Sequence, residues 1–245
     1  MSELTLIALD GIPEVRAGHD LAALIRAALG AAGIGLQADD VLVVTQKVVS
    51  KAEGRVVELA SVEPSDFALQ WADRWGKDAR QVELVLRESA SIVRMADGGL
   101  IISRTRQGLV CANAGVDLSN VGDGDIATLL PVDPDASAAG LSDALGAPVI
   151  VSDSFGRPWR NGIVNVAIGV AGLAPLLDLR GTPDASGREM QSTVIAVADE
   201  LASAADLAGG KTAQRPVVLV RGYAFTAARG TATELVMERQ RDLFL

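Results

Sequence analysis

Asp153 and Ser154 close an apolar run, PVIVSDS (148–154), and FGRPWRNG (155–162) follows at once. A carboxylate beside a hydroxyl at the mouth of a strand offers hard oxygen donors of the kind Mg²⁺ takes. Arg157 and Arg160, three apart, add planar forks that match phosphate or carboxylate. Phe155 and Trp159 would stack on a ring or simply anchor the segment. In a chain only 3% aromatic, placing both in one turn asks for a reason. The plainer alternative is a strand end with a salt-bridged, aromatic-pinned loop.

Three further segments carry groups that could join such chemistry. In AGVDLSNVGDGD (114–125), Asp117 and Asn120 could serve a hard cation through their side-chain oxygens. The same letters also make Asx-turns, and Asp123 and Asp125 read as turn residues. In VVTQKVVSKAEGR (43–55), Lys47 and Lys51 are four apart and share a face on a helix or a strand. They form either a phosphate patch or a solvated face. ADLAGGKT (205–212) fits a relaxed Walker pattern through Gly210, Lys211 and Thr212. A true P-loop follows a strand and opens a helix. Here a helix precedes and a strand follows, so the glycines read as a helix C-cap. His19, the only histidine, reads as a turn or N-terminal helix residue, and Cys111, the only cysteine, as a small core residue. The chemistry would then fall to carboxylates, arginines, lysines or metals, which suits phosphoryl transfer.

The composition narrows the classes. At 245 residues and 49% apolar, the chain is long enough for a buried core. A formal net charge of -9 argues against a nucleic-acid surface, so an anionic ligand needs local cations or a metal. No run approaches the roughly 20 apolar residues that cross a membrane. The N-terminus MSELTLIALDG does not read as a signal peptide, and a single cysteine fits a reducing cytoplasm.

The elements that must position these groups alternate in period. LTLIAL (4–9) and VLVVTQ (41–46) predict strands, and Asp20 predicts the start of a helix ending at Gly33. Residues 64–78 predict a helix. VELVLR, GLIISR and GLVCAN predict short strands. Residues 137–145 predict a helix before PVIVSDS, 189–208 a long helix, RPVVLVRG a strand, and TATELVMERQ a closing helix. Without a regular βαβ beat, the fold class is α+β with mixed sheets and helices. Residues 1–245 read as a single unit, with room for two intimately associated subdomains.

GIPEV (11–15), DVLVVTQKVVSKAEGR (40–55), GVDLSNV (115–121), LLPVDPDASA (129–138), SDSFGRPWRNG (152–162), ADLAGGK (205–211) and VVLVRG (217–222) together resemble the coenzyme F-420 gamma-glutamyl ligases. The resemblance runs nearly end to end. It implies a non-Walker, non-ATP-grasp α+β fold in an intertwined homodimer. It also implies a GTP-dependent amide ligase acting on F-420-0 and L-glutamate through an acyl phosphate, with two Mg²⁺ or Mn²⁺ ions per site and K⁺ as an aid. Carried over by motif, Ile12, Pro13, Glu14, Val15, Gln46, Lys47 and Lys51 would line the GTP site. Asn120 and the loop Gly209, Gly210, Lys211, Thr212, Ala213, Gln214 and Arg215 would join them. Asp117, Asp153, Ser154 and Lys211 would be the metal positions, and Asp117, Asp153, Arg157 and Arg160 the candidate catalytic set. Two departures stand out. Lys211 occupies the place of a metal-binding glutamine, so a backbone carbonyl would have to serve or the second metal be held differently. Ser154 replaces the commoner threonine and keeps the hydroxyl. The reductase-like domain of some relatives is not expected. Competing readings are a ligase for another carboxylate, a nucleotide or deazaflavin binder without turnover, and a metal-dependent phosphohydrolase.

Overall fold

The computed structural model describes residues 3–118 and 125–241. In chain order these form β1 (Thr5–Ala8), α1 (Leu21–Ala31), β2 (Asp40–Thr45), α2 (Gln46–Ala52), β3 (Val56–Glu58), α3 (Asp66–Trp75), α4 (Ala79–Glu88), β4 (Ser89–Met95), β5 (Ile101–Thr105) and β6 (Val110–Ala112). Then come β7 (Ile126–Thr128), α5 (Pro134–Leu145), β8 (Val149–Arg157), β9 (Arg160–Ala171), β10 (Leu177–Asp178), β11 (Val194–Ile195), α6 (Val197–Gly209) and β12 (Val217–Arg221). The class is mixed α+β, as the pattern of the sequence predicts.

The main sheet has the order β1-β12-β2-β8-β9. Its neighbours pair antiparallel except β2 and β8, which run parallel, with Leu42 opposite Val149 and Thr45 opposite Ser152. The unbroken apolar run of β2 has a simple cause. A central strand with both faces covered buries every side chain. Leu42 and Val44 join one core with Ile25 and Leu29 of α1 and Leu141 of α5. Val41 and Val43 face the other way, into a core with Leu201 and Ala205 of α6. A third core gathers Ala68, Ala72, Val82, Val85 and Ile101 from α3, α4 and β5. Smaller sheets β4-β5-β6, β3-β7 and β10-β11 complete the fold. Among the described residues no helix is long and apolar enough to cross a membrane.

Four local readings are corrected. VELVLR lies in helix α4, not in a strand. Asp78 caps that helix by accepting from the Arg80 N–H, and Glu83 holds Arg87 one turn later at 2.8 Å. Glu83 also takes the N–H and hydroxyl of Ser65, the N-cap of α3. These local polar bonds outweigh the strand preference of two valines. Helix α6 covers only the second half of 189–208. Upstream, Met190 and Thr193 bond back to Gly181, Thr182 and Leu179, and Val194–Ile195 pair with β10. The closing segment makes 3-10 turns at Ala232–Leu235 and Arg239–Arg241 instead of an α-helix. Asp135 of α5 takes the Ala232 N–H at 2.7 Å, which ties that turn to the body of the fold. Finally, SDSFGRPWRNG is not a loop. It is the end of β8, a two-residue connection at Pro158 and Trp159, and the start of β9.

Two packing constraints fix the sheet against its surroundings. Asp40, fully buried at the start of β2, accepts two hydrogen bonds from Arg221 at 2.7 Å each and one from the Gln37 N–H. Burial alone pushes this carboxyl up, but the Arg221 and Gln37 bonds and the Arg221 charge outweigh it and hold it below the usual carboxylate range. A carboxyl depressed in the folded state stabilises fully above its unfolded pKa, about pH 4, and loses that contribution as pH falls further. The second constraint is Gly169 in β9, where an added Cβ would stand 2.1 Å from the Pro134 carbonyl oxygen at the start of α5.

Asp40→Asn is expected to lower the melting temperature by about 5 °C or more at pH 7. The gap from the parent protein should narrow as pH drops below about 4, read by thermal denaturation across pH. Gly169→Ala is expected to cost about 2 kcal/mol or more, because backbone must move to admit the methyl group. Urea unfolding checks it, and a cost below about 0.5 kcal/mol would contradict the close approach.

Candidate active site

Because β2 and β8 are parallel, their C-terminal ends open on the same edge of the sheet. The chain turns from Thr45 straight into α2, which carries Gln46, Lys47 and Lys51. From β8, Asp153 and Ser154 follow Ser152, the last residue paired to β2. Asp117 arrives from a third direction, clamped by reciprocal backbone bonds to Thr128 at 3.0 and 2.8 Å.

These groups meet. Lys47 Nζ lies 2.7 Å from Asp117 Oδ2. The Asp153 carboxyl is pushed up to about 6, first by burial and further by the charge of Asp117. The Ser154 N–H, Lys211 and Lys47 pull it down only in part. Asp117, Asp153, Lys47 and Lys211 therefore share one electrostatic neighbourhood, assembled from four separate stretches of chain. Cys111 borders it as the buried core residue expected. Its thiol is raised to about 12 by burial and by the Asp153 charge, so it stays neutral.

Several of the other expected residues are tied to the same elements by individual contacts. Lys51 Nζ donates to Glu14 Oε1 at 2.5 Å, which ties α2 to the segment 12–15. Within that segment Val15 is buried and Ile12 packs on the core, while Pro13 and Glu14 face solvent. Gln46 is buried, and its Oε1 accepts from Ser50 Oγ at 2.9 Å. After α6, Gly210 bonds to the Asp206 carbonyl as the helix C-cap. Lys211, Thr212, Ala213 and Gln214 then make the turn that leads into β12, and Arg215 Nε donates to Asp10 Oδ1 at 2.7 Å. Lys211 Nζ reaches Ser154 Oγ at 2.7 Å.

Other expected residues stand apart. Arg157 and Arg160 flank the exposed hairpin tip, roughly 13 Å along the strand from Asp153. Arg157 donates to its own hairpin at the Asn161 carbonyl, 2.6 Å away. Trp159 sits at the tip, 81% exposed and at φ 57, a backbone region bulky residues rarely adopt. Phe155 packs back on the core. His19 is the turn residue expected, with Nδ1 accepting from the Arg16 N–H. Asn120 and Asp123 lie outside the described residues, and Asp125 pairs with Arg80. Sequence reasoning missed Asn165, whose Oδ1 accepts from Ser154 Oγ at 2.7 Å. Ser154 and Asn165 stand opposite each other across the hairpin, a pairing that no local pattern of the sequence announces. Among the described residues no three His, Cys, Asp or Glu side chains group as a ready metal cage.

Comparison with known proteins decides the family. The model of the F420-0:gamma-glutamyl ligase family matches residues 11–222. The chain belongs to this family. It is 46% identical over 250 residues to the coenzyme F420:L-glutamate ligase of Methanothermobacter thermautotrophicus, covering 98% of each chain. To the protein of the same description from Methanopyrus kandleri it is 42% identical over 259 residues and 100% of each. To that from Natronomonas pharaonis it is 43% identical, over 96% of this chain and 92% of the relative. This gamma-glutamyl ligase family member is thus an enzyme, a ligase that forms carbon–nitrogen bonds.

In the ligase, Lys47→Met should remove a cation from the shared neighbourhood without disturbing the core. Ligase kcat/KM is expected to fall roughly 100-fold while the melting temperature moves by less than about 3 °C. Steady-state kinetics and thermal denaturation on the same preparation check both halves.

Proposed function

We propose that the protein is a GTP-dependent ligase that joins L-glutamate to coenzyme F-420-0, adds further glutamates through γ-linkages, and works as a homodimer in coenzyme F-420 biosynthesis. What carries the reading is the coincidence of a family match across nearly the whole chain with a paired carboxylate–lysine cluster on the β2/β8 edge. The terminal carboxylate of the deazaflavin precursor takes the γ-phosphoryl group of GTP, and GDP leaves. The glutamate amine then attacks the acyl carbon of that acyl phosphate. Phosphate departs and the amine loses a proton as the amide forms.

This chain's residues serve by position and charge. Lys47, Lys51 and the backbone N–H groups of Gly209–Arg215 would neutralise phosphate oxygens. Ile12–Val15, Gln46 and Asn120 would complete the nucleotide wall. Arg157 and Arg160 would meet an anionic substrate at the hairpin. A divalent cation fits Asp117 and Asp153. Burial first, and then the Asp117 charge, raise the Asp153 carboxyl, and a doubly charged ion held by these residues would favour its charged form. Bound there, Mg²⁺ or Mn²⁺ would supply charge neutralisation to the transferring phosphoryl group. A second such ion on Ser154 fits less well, because an ammonium already donates to that hydroxyl.

The test is a ligase reaction followed by mass spectrometry, with F-420-0, L-glutamate, GTP and Mn²⁺ and with each omitted in turn. Glutamate-sized mass steps that vanish without GTP or without metal are expected. Asp153→Asn should abolish them at limiting metal. GTP hydrolysis without any mass step, or full activity in Asp153→Asn, would sink the reading.

A further inference from the structure

The hydroxyl of Ser154 has both directions of its hydrogen bonding engaged. Its proton goes to Asn165 Oδ1 at 2.7 Å, and its oxygen receives Lys211 Nζ at 2.7 Å. Asn165 is a firm anchor. It is buried, and its backbone carbonyl takes the Ser203 hydroxyl of α6 at 2.7 Å. The hydroxyl is therefore held with a lone pair turned toward Lys211. A lysine ammonium has three donors and no lone pair, so its nitrogen cannot ligate a metal. Its charge also acts favourably on Asp153, as that of Lys47 does. Lys47 pairs directly with Asp117, and both lysines act on Asp153. One is carried by α2 and the other by the turn after α6.

We propose that the Lys211 ammonium takes the place of a second divalent cation, so that each site binds one divalent ion, at Asp117 and Asp153. The inference rests on the proposed phosphoryl chemistry, which needs positive charge around the transferring group. It changes what supplies that charge. An ammonium tethered on Ser154 is present without being recruited from solution, and it offers hydrogen-bond donors to a phosphate oxygen. A divalent ion on the Ser154 oxygen would stand within a few ångströms of it, where like charges repel strongly. Lys211 is exposed, so exchanging it leaves the core untouched.

The experiment counts Mn²⁺ bound per protomer by electron paramagnetic resonance, with the full-length protein and Mn²⁺ alone as probe. The parent protein should bind one ion. Lys211→Gln, which trades the ammonium for an amide oxygen, should bind two, and Lys211→Arg, which keeps the charge, should stay at one. Melting temperatures establish that the variants fold. Two ions in the parent, or one in both the parent and Lys211→Gln, overturn this inference and leave the ligase reading standing. No bound Mn²⁺ in any of the proteins overturns the inference and the proposed metal dependence together.

Discussion

The parallel pairing of β2 with β8 is the constraint on which the site depends. In an antiparallel pair, the ends of two neighbouring strands point to opposite edges. Running parallel, both deliver their following residues to one edge. Lys47 follows β2 and Asp153 lies beyond the β2 pairing of β8, so each lands there by topology and not by any local attraction. The pairing is secured by the double burial of β2, whose side chains enter a separate core on each face. A slip of one residue would send each apolar set to the wrong side.

Charge follows from that geometry. Burial disfavours the charge on Asp153, and the Asp117 charge beside it adds to that penalty. The fold answers it with lysines from elements that have no sequence proximity to the acids. The result is a region of balanced charge on a protein of net charge -9. Such a region lets an anion approach where the surface at large would repel it.

How far the sequence could be read differs from place to place. Strand β2 was legible because four apolar residues in a row, three of them β-branched, suit a doubly covered strand. The end of α6 was legible because glycines between a helical pattern and a strand have one common use. VELVLR was not, since a Val-rich hexapeptide reads equally as either element, and what decides is Asp78 before it and Arg87 holding Glu83 within it. Single residues of the site, such as Asp117 and Lys47, stood out by type. Their meeting at 2.7 Å depends on a bridge between Asp117 and Thr128 that no local pattern announces. Asn165 was not legible because SDSFGRPWRNG reads as a loop, and a loop predicts no partner across a hairpin.

One feature of the main sheet bears on how the chain is made. Its order places β12 between β1 and β2, although the chain reaches β12 only after every other strand of that sheet. A polypeptide emerging from the ribosome in order presents β1 and β2 well before the strand that joins them. Until then both carry open hydrogen-bonding edges, the kind that invite mispairing. The turn bearing Lys211 and Arg215 immediately precedes β12. Closing the gap in the sheet and completing the charged edge are consequently one late event, and a nascent chain stalled before it holds neither a finished sheet nor a finished site.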